Sequence, residues 1–455
     1  MDPTTPLLQP FVEQSVSIRS IVAFGFRQPV QIAGNGELPA IGGKDAAFLR
    51  PVAGEGAGHQ VTGWETIRLP ADDPVAQRAP ALGSLATEAR TLAGDAPGDD
   101  LLLLPAELLL ETMTPVADDF AFRAVAVLGP PTRGDSDDWK LHRSLFDRGL
   151  VCIATVSYAG FTARCFLASE AIRSLRRFAG PSRGEITVST LCQKGRFANQ
   201  LFEYSYAKLY ALRHGLTAAF PAWDGQRLYG LDDPSCAGIT FPRLSFAPFA
   251  DGDRQMWDRE DPPINVDLHG SFQETPACWQ RHRPLLRCLF RLPAAHLQAI
   301  DTWRRRVTED GQRTLVAIHV RRGDYRKLQL RAPWFRLVPE EWYLQWLRAL
   351  WPTLSRPLLF VATDEPQAIR PAFREFETAS ATFGPPADLL PEAVREFEIL
   401  RCADHLAICN SSFSRMAAIL APSTQKCYVP SFETQTFSPY EPWIDPAFWA
   451  RFRGP

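Results

Sequence analysis

From Ile186 to Val429 the apolar positions switch repeatedly between two periods. Ile186–Leu191 is a short β-rich run, Gly195 follows in a turn, and Phe202, Tyr206, Leu209 and Tyr210 then fall at i, i+4, i+7 and i+8, one face of a helix. Further on the alternation becomes regular. Thr314–Val320 reads as a strand and Trp342, Trp346 and Leu350 as a helix face. Leu358–Ala362 is a strand, and Ile369, Phe373 and Phe376 mark a helix. Val394, Phe397 and Leu400 mark another, before the strand His405–Cys409. Phe413, Met416, Ala417 and Leu420 form a last helix face before the strand Lys426–Val429. Strands alternating with helices predict a parallel, doubly wound sheet, in which ligands bind beyond the carboxyl ends of the strands.

The first 180 residues are patterned differently. Gly34–Gly43 and Gly54–Gly58 read as loops. Leu101–Leu104, Arg123–Leu128 and Val151–Val156 read as strands, with a helix over Asp138–Asp147 between the last two. This is an α/β module. Ala179-Gly-Pro-Ser-Arg-Gly184 is the linker candidate. Charge changes across it: the first 180 residues hold 16 Lys+Arg and 21 Asp+Glu, the rest 33 and 30.

Composition narrows the function classes. The 455 residues are 45% hydrophobic and 22% charged, the balance of a globular chain with a sizeable core. A net charge of −2 lacks the basic footprint of a nucleic-acid binder. The most apolar stretch, Leu101–Leu110, is broken by Pro105 and Glu107 and is too short to span a bilayer. The start, Met1–Val16, has no basic segment followed by an apolar run. The nine cysteines include no C-x-x-C pair, which fits reduced thiols in a cytoplasm. A cytoplasmic location is expected, with no transmembrane segment and with peripheral membrane contact left open.

Chemistry gathers where the strands end. Thr314–Val320 is followed by Arg321, Arg322, Gly323, Asp324 and Tyr325, and Leu358–Ala362 by Thr363, Asp364, Glu365 and Pro366. His405–Cys409 is followed by Asn410, Ser411, Ser412, Phe413 and Ser414. Paired arginines offer planar forks of donors for phosphate oxygens. A serine-rich turn opening a helix offers hydroxyls, backbone N–H groups and the positive end of the dipole. Asp364 and Glu365 are acceptors for a base edge or ribose. Each cluster alone also reads as structure: Ser411 and Asp364 make good helix caps, and Arg-Arg a salt-bridge donor. All three at one sheet edge read as a site.

Four segments in register resemble one family. Val316-Ala-Ile-His-Val-Arg-Arg-Gly-Asp-Tyr325 is similar to the H-x-R-R-x-D signature of α-1,2-fucosyltransferases and of the core α-1,6- and protein O-fucosyltransferases. Gly195-Arg-Phe-Ala-Asn-Gln-Leu-Phe-Glu-Tyr204 resembles their opening glycine turn and Asn-Gln helix. His269-Gly-Ser-Phe-Gln273 resembles a mid-chain Gly/Phe-Gln segment, and Asn410-Ser-Ser-Phe-Ser414 the C-terminal N-S-x-F-S motif. The resemblance covers residues 185–432.

It implies a GT-B-like fold of two Rossmann-like lobes, 184–312 on the acceptor side and 313–455 for the nucleotide sugar, preceded by an unassigned α/β module over 1–183. It further implies an inverting, metal-independent transfer of fucose from GDP-fucose, the donor substrate, to a glycan hydroxyl, with no cofactor. Carried over by position, Arg321 would hold the β-phosphate and stabilise departing GDP. His319 and Asp364 would contact guanosine, and Ser411, Ser412 and Ser414 would hold phosphate. Gly195 and Asn199 would allow close approach to the donor, with Arg322 beside it. This chain departs from the family in reading Phe197-Ala198-Asn199 in the first motif and Arg415-Met416 after the last. It also has no carboxylate over Arg326–Arg331. The general base is therefore open; Asp324 is the candidate, with a structural partnership to Arg321 or Arg322 as its other reading.

Two alternatives remain. A metal-dependent GT-A-type glycosyltransferase would use a D-x-D pair, Asp251/Asp253 or Asp135/Asp137. A non-catalytic glycan- or nucleotide-binding protein would need no base. Gly129-Pro-Pro-Thr-Arg-Gly-Asp-Ser136 misses a phosphate loop because Asp135 stands where the lysine belongs. The eight histidines show no zinc spacing.

Overall fold

The computed structural model describes residues 9–14, seven short segments between 20 and 129 (20–24, 30–33, 36–38, 46–53, 61–69, 100–105 and 124–129), and then 136–158, 161–172, 182–193, 195–246, 252–273, 276–444 and 448–452. The loop read at Gly54–Gly58, most of Gly34–Gly43, Asp135, Asp251 and residues 179–181 of the linker candidate lie outside the described residues. The fold is α/β. It forms two compact units. One comprises residues 1–186, 208–219 and 281–289, and the other 187–207, 220–280 and 290–455.

The first unit holds a seven-stranded mixed sheet. Its strands run in the order Val61–Leu69, Ala46–Ala53, Ser20–Phe24, Asp100–Pro105, Ala124–Gly129, Phe161–Ala168, Leu150–Tyr158. The middle three are parallel and the flanking strands antiparallel. The helix Ser136–Asp147 precedes the last hairpin. Arg213, buried, grips Asp147 with Nε and Nη2 at 2.7 and 2.8 Å. His282 stacks on Phe146 at 3.8 Å and shares a 2.7 Å hydrogen bond with Ser169.

The second unit holds a five-stranded sheet in the order Leu358–Thr363, Leu315–Val320, His405–Ala407, Lys426–Ser431, Thr436–Tyr440. The first four strands are parallel. The last is antiparallel and was not anticipated in the sequence, because Pro439 breaks the apolar run. Every residue of Leu315–Val320 and of Leu358–Thr363 is buried, the run that a parallel strand covered on both faces requires. Val316, Ile318 and Val320 pack with Tyr343, Trp346, Leu359 and Val361.

Two expected elements differ. The helix over Ile369–Phe376 is instead a turn of α-helix, Pro366–Ile369, followed by the 3₁₀ segment Arg370–Phe373. Pro371 has no N–H with which to continue the α-helical ladder. The run Ile186–Leu191 is a strand only over Glu185–Thr187. It then turns because buried Asp267 captures Thr187 Oγ1 at 2.9 Å and Ser189 N at 2.8 Å.

The order of the second sheet fixes the site. The chain leaves Leu315–Val320, adds Leu358–Thr363 on one side, then crosses to add His405–Ala407 on the other. That reversal opens a crevice at the carboxyl end of the central strand.

Candidate functional site

A cavity of about 910 Å³ within the second unit occupies this crevice. Its wall includes Arg321 and Asp324 after the first strand, Thr363 and Asp364 after the second, and Ser411 and Ser412 after the third. Gly195 and Asn199 complete it from the turn and first residues of the helix Phe197–His214. Eight of the ten residues singled out in the sequence therefore line one space: Gly195, Asn199, His319, Arg321, Asp324, Asp364, Ser411 and Ser412.

The remaining two do not. Arg322 is buried with its guanidinium turned from the cavity; Nη2 donates to Val338 O at 2.8 Å and pairs with Glu340 at 2.7 Å. Extended backbone sends successive side chains to opposite sides, so only one of two adjacent arginines can face the ligand. Ser414 is also buried, and its Oγ accepts from Cys409 N at 3.4 Å. It lies three positions beyond the cap Ser411, on the inward side of the helix Ser412–Leu420.

Arg321 is held by two carboxylates. Its Nη1 pairs with Asp364 Oδ2 at 2.6 Å, and its Nη2 donates to Asp324. Asp364 Oδ1 also accepts from Arg322 N at 2.9 Å. Asp324 has a second cation, Arg196, at 3.5 Å. The structural partnership read for Asp324 is thus present.

Ser411 caps the helix Ser412–Leu420: its backbone is extended and its Oγ accepts from Phe413 N at 3.3 Å. The remaining N–H groups of the first turn, with the helix dipole, leave a site suited to an anion. Asn410 is spent on structure, its Nδ2 donating to Trp334 O and Arg336 O, both at 2.7 Å. On the opposite wall Gly195 has φ +74°, and a Cβ there would meet Asn199 Nδ2 at 2.0 Å. Asn199 Oδ1 accepts from Gln273 Nε2 at 3.1 Å, which ties the first and mid-chain motifs together.

His319, the penultimate residue of the central strand, is almost wholly buried beside the Phe413 ring at 5.2 Å. Burial, and then the nearby Arg321 charge, pull its imidazole down to about 3, so it is neutral at physiological pH. Its Nδ1 lies 3.4 Å from the Cys409 thiol, which burial pushes up to about 12.

Solved fucosyltransferases match part of this chain, at low similarity. The NodZ α-1,6-fucosyltransferase soaked with GDP-fucose is 16% identical; the match covers 57% of this chain and 99% of that one, with a TM-score of 0.35. NodZ from Bradyrhizobium gives 15%, 58%, 99% and 0.35 in the same order. A variant of Arabidopsis thaliana FUT1 in complex with GDP gives 13%, 56%, 72% and 0.34. No family model matches the chain, and no curated protein matches it. At this level of likeness neither activity nor site carries over to this chain.

Among the cavity residues that were not singled out in the sequence are two acids. Glu392 and Glu396 sit one turn apart on the helix Glu392–Cys402, and both line the cavity. Burial raises the Glu396 carboxyl to about 7, with the Glu392 charge the next cause; Arg370 at 3.6 Å only partly offsets them. An i, i+4 pair of glutamates on an otherwise amphipathic helix reads as a solvated face, so nothing in the pattern separates it from surface charge.

Proposed function

We propose that the chain is a fucosyltransferase-like glycosyltransferase that moves fucose from GDP-fucose to a hydroxyl of a glycan, with inversion and without a catalytic metal. The observation that carries this reading is the convergence of Arg321, Asp364 and the Ser411-capped helix at the switch point of a parallel sheet, facing Gly195 across one cavity. Convergence of a guanidinium fork and a helix N-terminus suits a diphosphate leaving group. Neutral His319 offers a donor or acceptor to the nucleoside. A carboxylate such as Glu396 can accept both the N1–H and the exocyclic N–H of guanine, a pairing that uracil and adenine do not offer.

In this reading the acceptor oxygen attacks the anomeric carbon from the face opposite the diphosphate. The C–O bond to the β-phosphate breaks, its electron pair leaves on GDP, and the acceptor proton passes to a base. Charge grows on the diphosphate towards the transition state, where Arg321 and the helix N-terminus act. Asp324 is the carboxylate proposed as base. Residues 184–312 and 313–455 would serve as acceptor-side and nucleotide-sugar lobes. Among the described residues no helix is long and apolar enough to cross a membrane.

A second reading, a nucleotide-binding protein without turnover, is favoured by the engagement of Asp324 with both Arg321 and Arg196. A thermal-shift panel separates these readings from a different nucleotide class: GDP should stabilise the chain more than UDP, CDP or ADP. Release of GDP from GDP-fucose in the presence of glycan acceptors then distinguishes enzyme from binder. A larger shift with UDP than with GDP would sink the GDP-fucose reading.

A further inference from the structure

The cavity wall is acidic, although its proposed ligand is an anion. It carries two arginines, Arg196 and Arg321, against five carboxyl residues, among them Asp324, Asp364 and Glu396. Arg321 is itself shared between two of those carboxylates. The positive charge that a diphosphate needs must come partly from elsewhere.

Arg415 stands directly behind the helix cap. Its backbone N–H donates to Ser411 O at 3.1 Å, so it lies one turn into the helix Ser412–Leu420. Its side chain is fully buried. Nη1 donates to Gln273 O at 2.7 Å, and Gln273 is a wall residue of the cavity. The guanidinium carbon sits 4.4 Å from the centre of the Phe448 ring. Among the described residues Nε and Nη2 have no hydrogen-bond partner, and no carboxylate pairs with the guanidinium. A buried guanidinium with no counter-ion is costly. That ring face, the Phe202 ring at 5.7 Å and one carbonyl offset only part of that cost.

We infer that Arg415 is the uncompensated charge of the diphosphate site: a positioning residue that acts on the bound anion through its field and through Gln273, without touching the ligand. The inference rests on the nucleoside-diphosphate reading above and deepens it. In the low-dielectric interior such a charge is weakly screened and reaches the helix N-terminus, where its field adds to the dipole. The same contact fixes Gln273, whose Nε2 holds Asn199 beneath the Gly195 turn. One side chain thereby supports both walls that face the diphosphate.

The test grades ligand charge. Dissociation constants of GDP, GMP and guanosine are measured by calorimetry for the wild-type chain, Arg415→Gln and Arg415→Lys, with melting curves to establish folding. Arg415→Gln keeps a donor for Gln273 O but no charge. It should weaken GDP about tenfold, GMP less, and guanosine hardly at all. Arg415→Lys should stay close to the wild-type series. An equal loss for all three ligands in Arg415→Gln would mean a purely structural role and overturn the inference, as would an unchanged GDP/guanosine ratio. Should Arg415→Gln fail to fold, Arg415→Met replaces it, because an apolar side chain of similar length in place of an unpaired buried charge is neutral or stabilising. A wild-type chain that binds GDP no better than guanosine would instead refute the diphosphate reading itself.

Discussion

Gly323 lies directly on Asp364. A Cβ built on Gly323 would come 2.3 Å from Asp364 Oδ2, the oxygen that receives Arg321 Nη1 at 2.6 Å. The residue between the two arginines and Asp324 is therefore small because the carboxylate that orients Arg321 occupies the space above it. Its φ of +24° adds a conformation that side-chain-bearing residues seldom adopt.

Gly323→Ala should accordingly displace Asp364 and turn Arg321 from the cavity while the sheet stays intact. The expected outcome is a loss of GDP affinity of about tenfold or more, with a melting temperature lowered by only a few degrees. Calorimetry with GDP alongside a thermal melt checks it; unchanged affinity in a folded variant would separate Asp364 from the site.

Arg321→Lys should lose turnover with the fold preserved. A lysine keeps the charge but not the planar fork that reaches two oxygens at once. The loss should fall on kcat more than on donor affinity, by about 2.7–4 kcal/mol as at other preorganised donor sites. Arg322→Lys is the contrast. Arg322 is held by Glu340 and Val338 O away from the cavity, so its effect should appear in the melting temperature. Near-normal kcat in Arg321→Lys beside a folded but inactive Arg322→Lys would reverse the two roles.

Glu396 makes a pH prediction with a definite sign. Its carboxyl is raised to about 7 in the folded chain, above its ordinary value, so the folded state holds a proton that the unfolded state releases near pH 4.5. This contribution to stability is complete below about pH 4.5 and is lost as pH rises through 7. GDP should favour the ionised carboxylate, so its affinity should rise over the same interval. Glu396→Gln should flatten the stability slope between pH 5 and 8 relative to the wild type. Melting curves and GDP titrations across that range check both halves.

Turnover should survive chelation. The reading assigns neutralisation of the diphosphate to Arg321, the Ser411-capped helix and the Arg415 charge. Initial rates with and without EDTA test this; abolition by EDTA with rescue by manganese would favour the D-x-D alternative.

A fragment beginning at residue 184 should be poorly soluble. Arg213 and His282 are buried, and they would lose Asp147, Ser169 and the Phe146 ring. A stranded guanidinium and a buried imidazole without partners cost several kcal/mol together. Expression of the fragment beside the full chain, with GDP binding as readout, decides it.

The parts of the fold that could be read in the sequence were those in which one period repeats with little interruption. Leu315–Val320 and Leu358–Thr363 are buried on both faces, so their apolar runs are continuous, and the polar clusters after them mark the strand ends. The choice between Arg321 and Arg322 followed from the two-residue alternation of extended backbone. Contacts of long sequence separation were not legible. Asp267 reaches back 80 residues to bend the chain after Thr187, and Gln273 reaches 74 residues to Asn199. Glu396 looked like surface because it pairs with Glu392 one turn earlier; only the packing of its helix against the strand ends buries it. Ser414 was placed with its neighbours by motif, although the helical turn carries it inward.

The strand Thr436–Tyr440 closes one side of the second sheet, with Pro439 opposite Tyr428 and Pro430 opposite Phe437. On the other side, Leu359 N donates to Glu377 O and Leu359 O accepts from Ala379 N, both at 2.8 Å. A loop therefore occupies part of the edge that Leu358–Thr363 would otherwise present, and proline interrupts the ladder at the far edge. A sheet whose interior is this apolar would, with bare borders, recruit strands from other molecules as the chain emerges and folds. Blunted borders restrict it to its own strands.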